Sequence, residues 1–301
     1  MNRPPDDAAS AHRADADRDL LTGIAFRLLG SRAEAEDAVQ EAFSRWYARE
    51  PGARAAVTSP TAWLVTVVSR ICLDTLKSAR VRRERYVGPW LPEPLPTSTE
   101  PAAARHRDPG EQVALDESVG VAMLLVMEAM TPAERVAFVL HDVFGFPYGQ
   151  IATALGRTPA ACRQLASSGR RRLRADRAAT TTRGRDPGAV DALLRAWSAR
   201  DLPALVRLLD PDAVAVVDGG GLVSAPTEPL VGAAAVAGLL LDVADRVPDL
   251  ALSAAEVGGT PGLVARDGRG AVLAVLSVGV ERGRVAALLV TRNPAKLTAW
   301  S

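Results

Sequence analysis

Arg163, Gln164, Ser167, Arg170, Arg171 and Arg174 recur at intervals that bring them to one side of a helix. Guanidinium groups grip phosphates, and Arg, Gln and Ser side chains also match the donors and acceptors on base edges in a major groove. The chemistry open to such a set is recognition of nucleic acid. A solvated basic helix is the plainer reading of the same residues. Cys162, Leu165, Gly169 and Leu173 fall on the other side and are expected to face a core.

The elements that must position this face are legible in the stretch from Thr131 to Arg174. Thr131-Pro132-Ala133-Glu134 reads as a capping box with proline at the first helical position. Pro147 restarts a helix after Gly145, Gly156 ends it, and Thr158-Pro159 opens the arginine-bearing one. Two short helices separated by Gly156-Arg157 have the layout of a helix-turn-helix.

A second charge pattern lies nearer the start. Residues 1 to about 15 read as a polar, alanine-rich frayed tail, followed by a helix over 20–29 stopped by Gly30. Ser31-Arg32-Ala33-Glu34 is another capping box. The helix it opens has an apolar side of Ala38, Val39, Ala42, Phe43 and Trp46, and a polar side of Glu34, Asp37, Gln40 and Glu41. Ser59-Pro60 opens a further helix with a buried stripe of Leu64, Val67, Val68 and Ile71. Residues 70 to 85 then hold six basic side chains against Asp74 and Glu84. An acidic helix followed by one with a basic end is a charge asymmetry inside one small helical domain.

Residues 87–112 are dense in proline and read as an extended, semi-rigid linker. Trp90 within it fits two readings, incidental packing on a neighbouring domain or a docking element. A helix over about 111–130 is expected next, and residues 178–187 read as a second linker. From residue 188 two or three helices precede runs that alternate with glycine turns, the pattern of an α+β domain with an antiparallel meander. That part carries ten basic and twelve acidic residues, net −2, and holds no His, Tyr or Cys, so it suits neither DNA binding nor acid–base catalysis.

Composition sets further bounds. The 301 residues are 48% hydrophobic, enough for two or three domains with sizeable cores. The net charge is only +1, so nucleic-acid affinity must come from local patches or from a second protein. Cys72 and Cys162 are the only cysteines and lack metal-ligand spacing, which points to reduced, buried thiols in a cytoplasmic protein. The first residues lack the apolar core of a signal peptide, and no run of about 18 apolar residues exists to span a membrane. No cofactor or metal is implied.

Taken in order, these parts resemble the extracytoplasmic-function sigma factors. LLTGIAFRLLGSRAEAEDAVQEAFSRW is similar to the first half of their region 2, SPTAWLVTVVSRICLDTLKSARVRRE to its second half, and the helix-turn-helix to region 4. Trp90-Leu91-Pro92-Glu93-Pro94, Asp218-Gly219-Gly220-Gly221 and Asn293-Pro294-Ala295-Lys296-Leu297 resemble motifs of the subgroup with a SnoaL-like extension. Leu222 departs from the pattern, since that family usually places lysine after the triple glycine.

The resemblance implies two all-α sigma domains, a region 2 bundle at 16–86 and a region 4 helix-turn-helix at 113–177, plus a C-terminal α+β SnoaL-like cone at 188–301. It implies that Asp37, Gln40 and Glu41 dock on core RNA polymerase. Arg70, Lys77, Arg80, Arg82 and Arg83 would contact the −10 element of promoter DNA, and Thr158, Arg163, Gln164, Ser167 and Arg170 the −35 element. Trp90, Leu91, Pro92, Glu93 and Pro94 would meet Asp218, Gly219, Gly220, Asn293 and Lys296 in a regulatory contact between linker and extension. The concave cone leaves room for an unknown small ligand. A one-component helix-turn-helix regulator with a ligand-sensing cone, and a cone-fold enzyme fused to a DNA-binding module, are the alternatives.

Overall fold

The structure, a computed structural model, describes residues 6–83, 86–99, 127–177 and 186–300. The described residues form two units, one of residues 6–81 and 129–172, the other of residues 82–83, 86–99, 127–128, 173–177 and 186–300.

The first unit is all helical. Its elements are α1 (Asp6–Leu29), α2 (Arg32–Tyr47), α3 (Pro51–Ala55), α4 (Pro60–Arg83), α5 (Pro132–Phe138), α6 (Tyr148–Leu155) and α7 (Pro159–Arg177). The described part of the first helix reaches back to Asp6, into the stretch the sequence suggests as a frayed tail. Five alanines stand between Ala8 and Ala16, and alanine has the highest helix propensity. Ser31 caps α2, its hydroxyl accepting the Glu34 amide at 3.5 Å. Leu21, Ile24, Leu28, Val39, Leu64, Val65 and Val68 are buried at helical spacing. Each such side chain contributes about 1.5–3 kcal/mol by leaving water.

The capping box at Thr131 forms as the sequence dictates. The Thr131 hydroxyl accepts the Glu134 amide at 3.3 Å, and the Glu134 carboxylate accepts the Thr131 amide at 2.8 Å. α5 continues into one π-helical turn over Val139–Val143. Gly156 ends α6 in the left-handed region at φ 62°, which glycine adopts without penalty. The helix expected over 111–130 lies outside the described residues up to 126.

The second unit holds α8 (Pro187–Ser198), α9 (Leu202–Leu208), β1 (Leu209–Asp218), β2 (Leu230–Val231), α10 (Ala233–Arg246), β3 (Ala251–Val257), β4 (Thr260–Arg266), β5 (Val272–Glu281) and β6 (Arg284–Thr291). Asp186 and Asp201 cap α8 and α9. The six strands form one sheet in the order β2-β1-β6-β5-β4-β3. The expected antiparallel meander is β3 to β6, and β1 joins it in parallel beside β6. Alternation along the strands separates two faces. Ala213, Ala215, Val217, Leu276, Val278, Leu288 and Val290 pack with Trp197, Val236 and Leu240 of the helices. On the other face Val264, Val275 and Leu289 join Val257, Leu297 and a residue of the proline-rich segment, Leu91. Val216 packs on that second face, and Asp218, two residues on, shares it.

Candidate nucleic-acid interface and linker site

Asp37, Gln40 and Glu41 stand exposed on α2, opposite buried Ala35, Ala38, Val39 and Ala42. Glu41 pairs with Arg45 one turn on, at 2.8 Å. The face is an acidic, solvated stripe held on a rigid helix, suited to meeting a basic surface.

On α4, Lys77 is exposed and pairs with Asp74 at 2.9 Å. Arg70 does not point freely into solvent. Its guanidinium donates to the carbonyls of Thr153 at 2.6 Å and Ala154 at 3.2 Å. Arg80, Arg82 and Arg83 belong to α4, and their side chains lie outside the described part.

In the helix-turn-helix, α7 buries Cys162, Ala166, Gly169 and Leu173, with Leu165 only half-buried. Ala166 takes the inner position the sequence suggests for Leu165, because the inner stripe steps by four and three residues from Cys162. Gly169 lets α7 approach α5 closely, since a Cβ there would stand 3.3 Å from the Phe138 Cβ. Arg163, Gln164 and Ser167 are exposed along the outer side. The Arg163 guanidinium also lies 5.3 Å from the centre of the Tyr148 ring, which orients it. Thr158 is exposed and is the N-cap, its hydroxyl accepting the Ala161 amide at 3.2 Å. Arg170 departs from the outer set. It is half-buried and paired with Asp142 at 2.6 Å, so it braces α7 against the preceding turn.

The proline-rich segment lies across the second face of the sheet. Leu91 to Leu95 are all buried there. Pro92, Pro94 and Pro96 have no N–H to donate, so apart from the Leu91 amide the backbone of the segment docks through its carbonyls. The Leu91 carbonyl accepts from Lys296 Nζ at 2.5 Å, Pro94 from Trp300 Nε1 at 2.6 Å, and Leu95 from the Gly258 amide at 2.8 Å. Its one strand-like pairing is Pro96 with Val257.

Asp218 gathers this site. Its carboxylate is fully buried and accepts from the Leu91 amide at 2.9 Å, the Tyr86 hydroxyl at 2.6 Å, the Gly220 amide at 3.0 Å and Lys296 Nζ at 2.6 Å. Asn293 donates to the Tyr86 hydroxyl at 2.9 Å. The Lys296 ammonium lies 4.2 Å from the Trp90 ring centre and 5.1 Å from that of Tyr86. Burial and the Asp218 hydrogen bond push the Tyr86 phenol well above its ordinary range. Gly219 is sterically required, because a Cβ there would stand 2.6 Å from the Val223 carbonyl oxygen. Glu93 is buried with the segment. Leu222, where family members usually carry lysine, is exposed.

Tyr86 and Trp300 were absent from the expected contact set. Neither stands in one of the quoted motifs, and a single aromatic beyond a helix end gives no periodic signal. Only the fold brings Tyr86 to β1 and Trp300 to the Pro94 carbonyl.

The sequence profile of sigma-70 region 2 matches residues 14–82, and that of sigma-70 region 4 matches residues 121–173. The ECF RNA polymerase sigma factor SigJ of Mycobacterium tuberculosis is 38% identical over 296 residues, covering 94% of this chain and 92% of that protein. The chain belongs to the ECF RNA polymerase sigma factors. The probable ECF sigma factor SigI of the same organism is 37% identical over 298 residues, covering 98% and 95%. The crystal structure of M. tuberculosis SigJ matches with a TM-score of 0.74 at 32% identity, covering 96% of this chain and 98% of that one. The sigma factor thus has helical regions 2 and 4 followed by a SnoaL-like sheet domain, and similarity along nearly its whole length sets aside the one-component regulator. Sigma factors bind core polymerase and promoter DNA. Among the described residues no helix is long and apolar enough to cross a membrane, and no cluster of His, Cys, Asp and Glu could hold a metal.

Proposed function

We propose that this sigma factor acts in the cytoplasm, meets core RNA polymerase with Asp37, Gln40 and Glu41, and reads promoters with two separate domains. The basic end of α4, from Arg70 through Lys77 to Arg83, faces the −10 element. Arg163, Gln164 and Ser167 on α7 face the −35 element, with Thr158 at the helix start. Exposure of Asp37, Gln40, Glu41, Lys77, Thr158, Arg163, Gln164 and Ser167 on rigid helices supports the assignment. Arg170 serves by holding α7 in place.

The C-terminal domain regulates the factor in cis and performs no catalysis. The observation that carries this is the clamp of the fully buried Asp218 on Tyr86 and Leu91, just past the end of α4. A domain that grips the chain between the two promoter readers sets how far apart they can move. The absence of His, Tyr and Cys from residue 188 onward supports a binding role. The test is transcription in vitro with core polymerase, comparing the full chain with one ending at Arg183. Changed promoter-directed output is expected, and unchanged output overturns the regulatory reading.

A further inference from the structure

Within region 4, side chains from the turn after α5, from α6 and from α7 form one assembly around the Tyr148 ring. His141 and Asp142 are consecutive residues of the π-helical turn, an irregularity that recurs at functional sites. The His141 ring packs against that of Tyr148, the first residue of α6, with centres 4.0 Å apart and planes 30° apart. His141 is itself tied down, since its Nδ1 lies 3.0 Å from the Phe146 carbonyl oxygen. Asp142 holds the Arg170 guanidinium of α7 at 2.6 Å, and Tyr148 is a second hydrogen-bond partner of that guanidinium. The exposed Arg163 guanidinium then lies over the Tyr148 ring, 5.3 Å from its centre.

An exposed arginine samples many rotamers, and freezing it on a base costs that freedom. A guanidinium that reads the two acceptors of a guanine must also present its plane to the base. A fork already resting on a pinned ring has lost part of its freedom before DNA arrives, so less is lost on binding. We infer that Tyr148 is a positioning residue for base readout by Arg163, with His141 and Arg170 seating its ring. The ring carries the effect on Arg163, and the hydroxyl serves to hold the ring in place. Specificity at one base of the −35 element thus depends on a residue outside the helix that reads it. This rests on the reading of Arg163 as a −35 contact.

The test uses holoenzyme assembled from the full chain and core polymerase, on a promoter pool randomised across both elements. Sequencing the transcribed promoters gives the base preference at each position. Arg163→Ala should flatten the preference at the position it reads by about fivefold or more. Tyr148→Leu should flatten the same position by about two- to fivefold and leave the others as they were. Tyr148→Phe keeps the ring and should keep the preference. In the Arg163→Ala background, Tyr148→Leu should add nothing at that position. A merely structural role would weaken all promoters alike and move no single preference. An unchanged preference in Tyr148→Leu overturns the inference, as does an equal loss in Tyr148→Phe. The unmutated chain supplies a second measurement that holds even where Tyr148→Leu does not fold. NMR relaxation of the arginine Nε–H groups should show Arg163 ordered like Arg170, and Arg171, exposed on the same helix, much freer. Arg163 as free as Arg171 overturns the inference. If Arg163→Ala itself moves no preference, the −35 reading of Arg163 falls instead.

Discussion

Asp218 and Lys296 stand 2.6 Å apart and hold the two ends of one residue, Leu91. The carboxylate accepts the Leu91 amide and the ammonium donates to its carbonyl. The ion pair is therefore also a clip on the backbone. Lys296→Met leaves a fully buried carboxylate without its cation, and removing one partner of a buried pair costs about 3–5 kcal/mol. Urea denaturation should show that loss, and limited proteolysis should cut within 86–99. The double variant Asp218→Asn/Lys296→Met should lose less than the two single losses added, since the lone charge is gone.

Gly220 sits at φ 63°, and a Cβ there would run into the Asn293 amide and approach the Tyr86 hydroxyl. Gly270 is also left-handed, at φ 85°, but faces open space. Gly270→Ala is expected to cost about 1–2 kcal/mol, the backbone penalty alone. Gly220→Ala should cost clearly more and loosen residues 86–91. Equal thermal shifts for the two variants would count against a tight clasp at Tyr86.

The Glu134 carboxyl lies below the ordinary glutamate range. Burial alone would raise it, but hydrogen bonds from Ser168 and from the Thr131 amide and hydroxyl, with Arg172 at 3.3 Å, outweigh that. A depressed carboxyl stabilises the fold fully above its unfolded value, about 4.3, and this contribution is lost as pH falls through the lower folded value. Glu134→Gln should therefore destabilise region 4 at neutral pH by about 1–2 kcal/mol and flatten the acid limb of its stability curve. An acid limb unchanged in the variant would show that other carboxylates govern it.

Arg163 and Arg170 are seven residues apart on α7 but differ in role. Arg163→Ala should weaken binding to a −35 duplex by about 1–3 kcal/mol with the melting temperature and core binding unchanged. Arg170→Ala should instead lower stability, because the mostly buried Asp142 loses its partner at 2.6 Å, at a cost of about 1.5–3 kcal/mol. Gel shifts paired with calorimetry separate the two, and a stability loss in Arg163→Ala would place that residue in the fold.

Local signals carried far in this chain. Capping boxes, prolines at helix starts and Gly156 act within four residues of themselves, so helix starts and stops at Ser31, Thr131 and Gly156 could be read directly. The period of the apolar stripes likewise told the outer side of α2 and α7 from the inner one. Alternation also foretold the β3–β6 meander, whose strands follow one another in sequence. The parallel pairing of β1 with β6 was not legible, because it joins segments about seventy residues apart and leaves no local trace. For the same reason no pattern marked Tyr86 as a partner of Asp218, or Arg70 as a partner of α6. The sequence by itself determined which residues are charged, where helices begin and which faces are apolar. Tertiary structure alone decided which charges are spent on the protein's own backbone. A helix-end carbonyl or a proline-rich carbonyl has no side-chain signature, so its partner emerges only when distant segments pack.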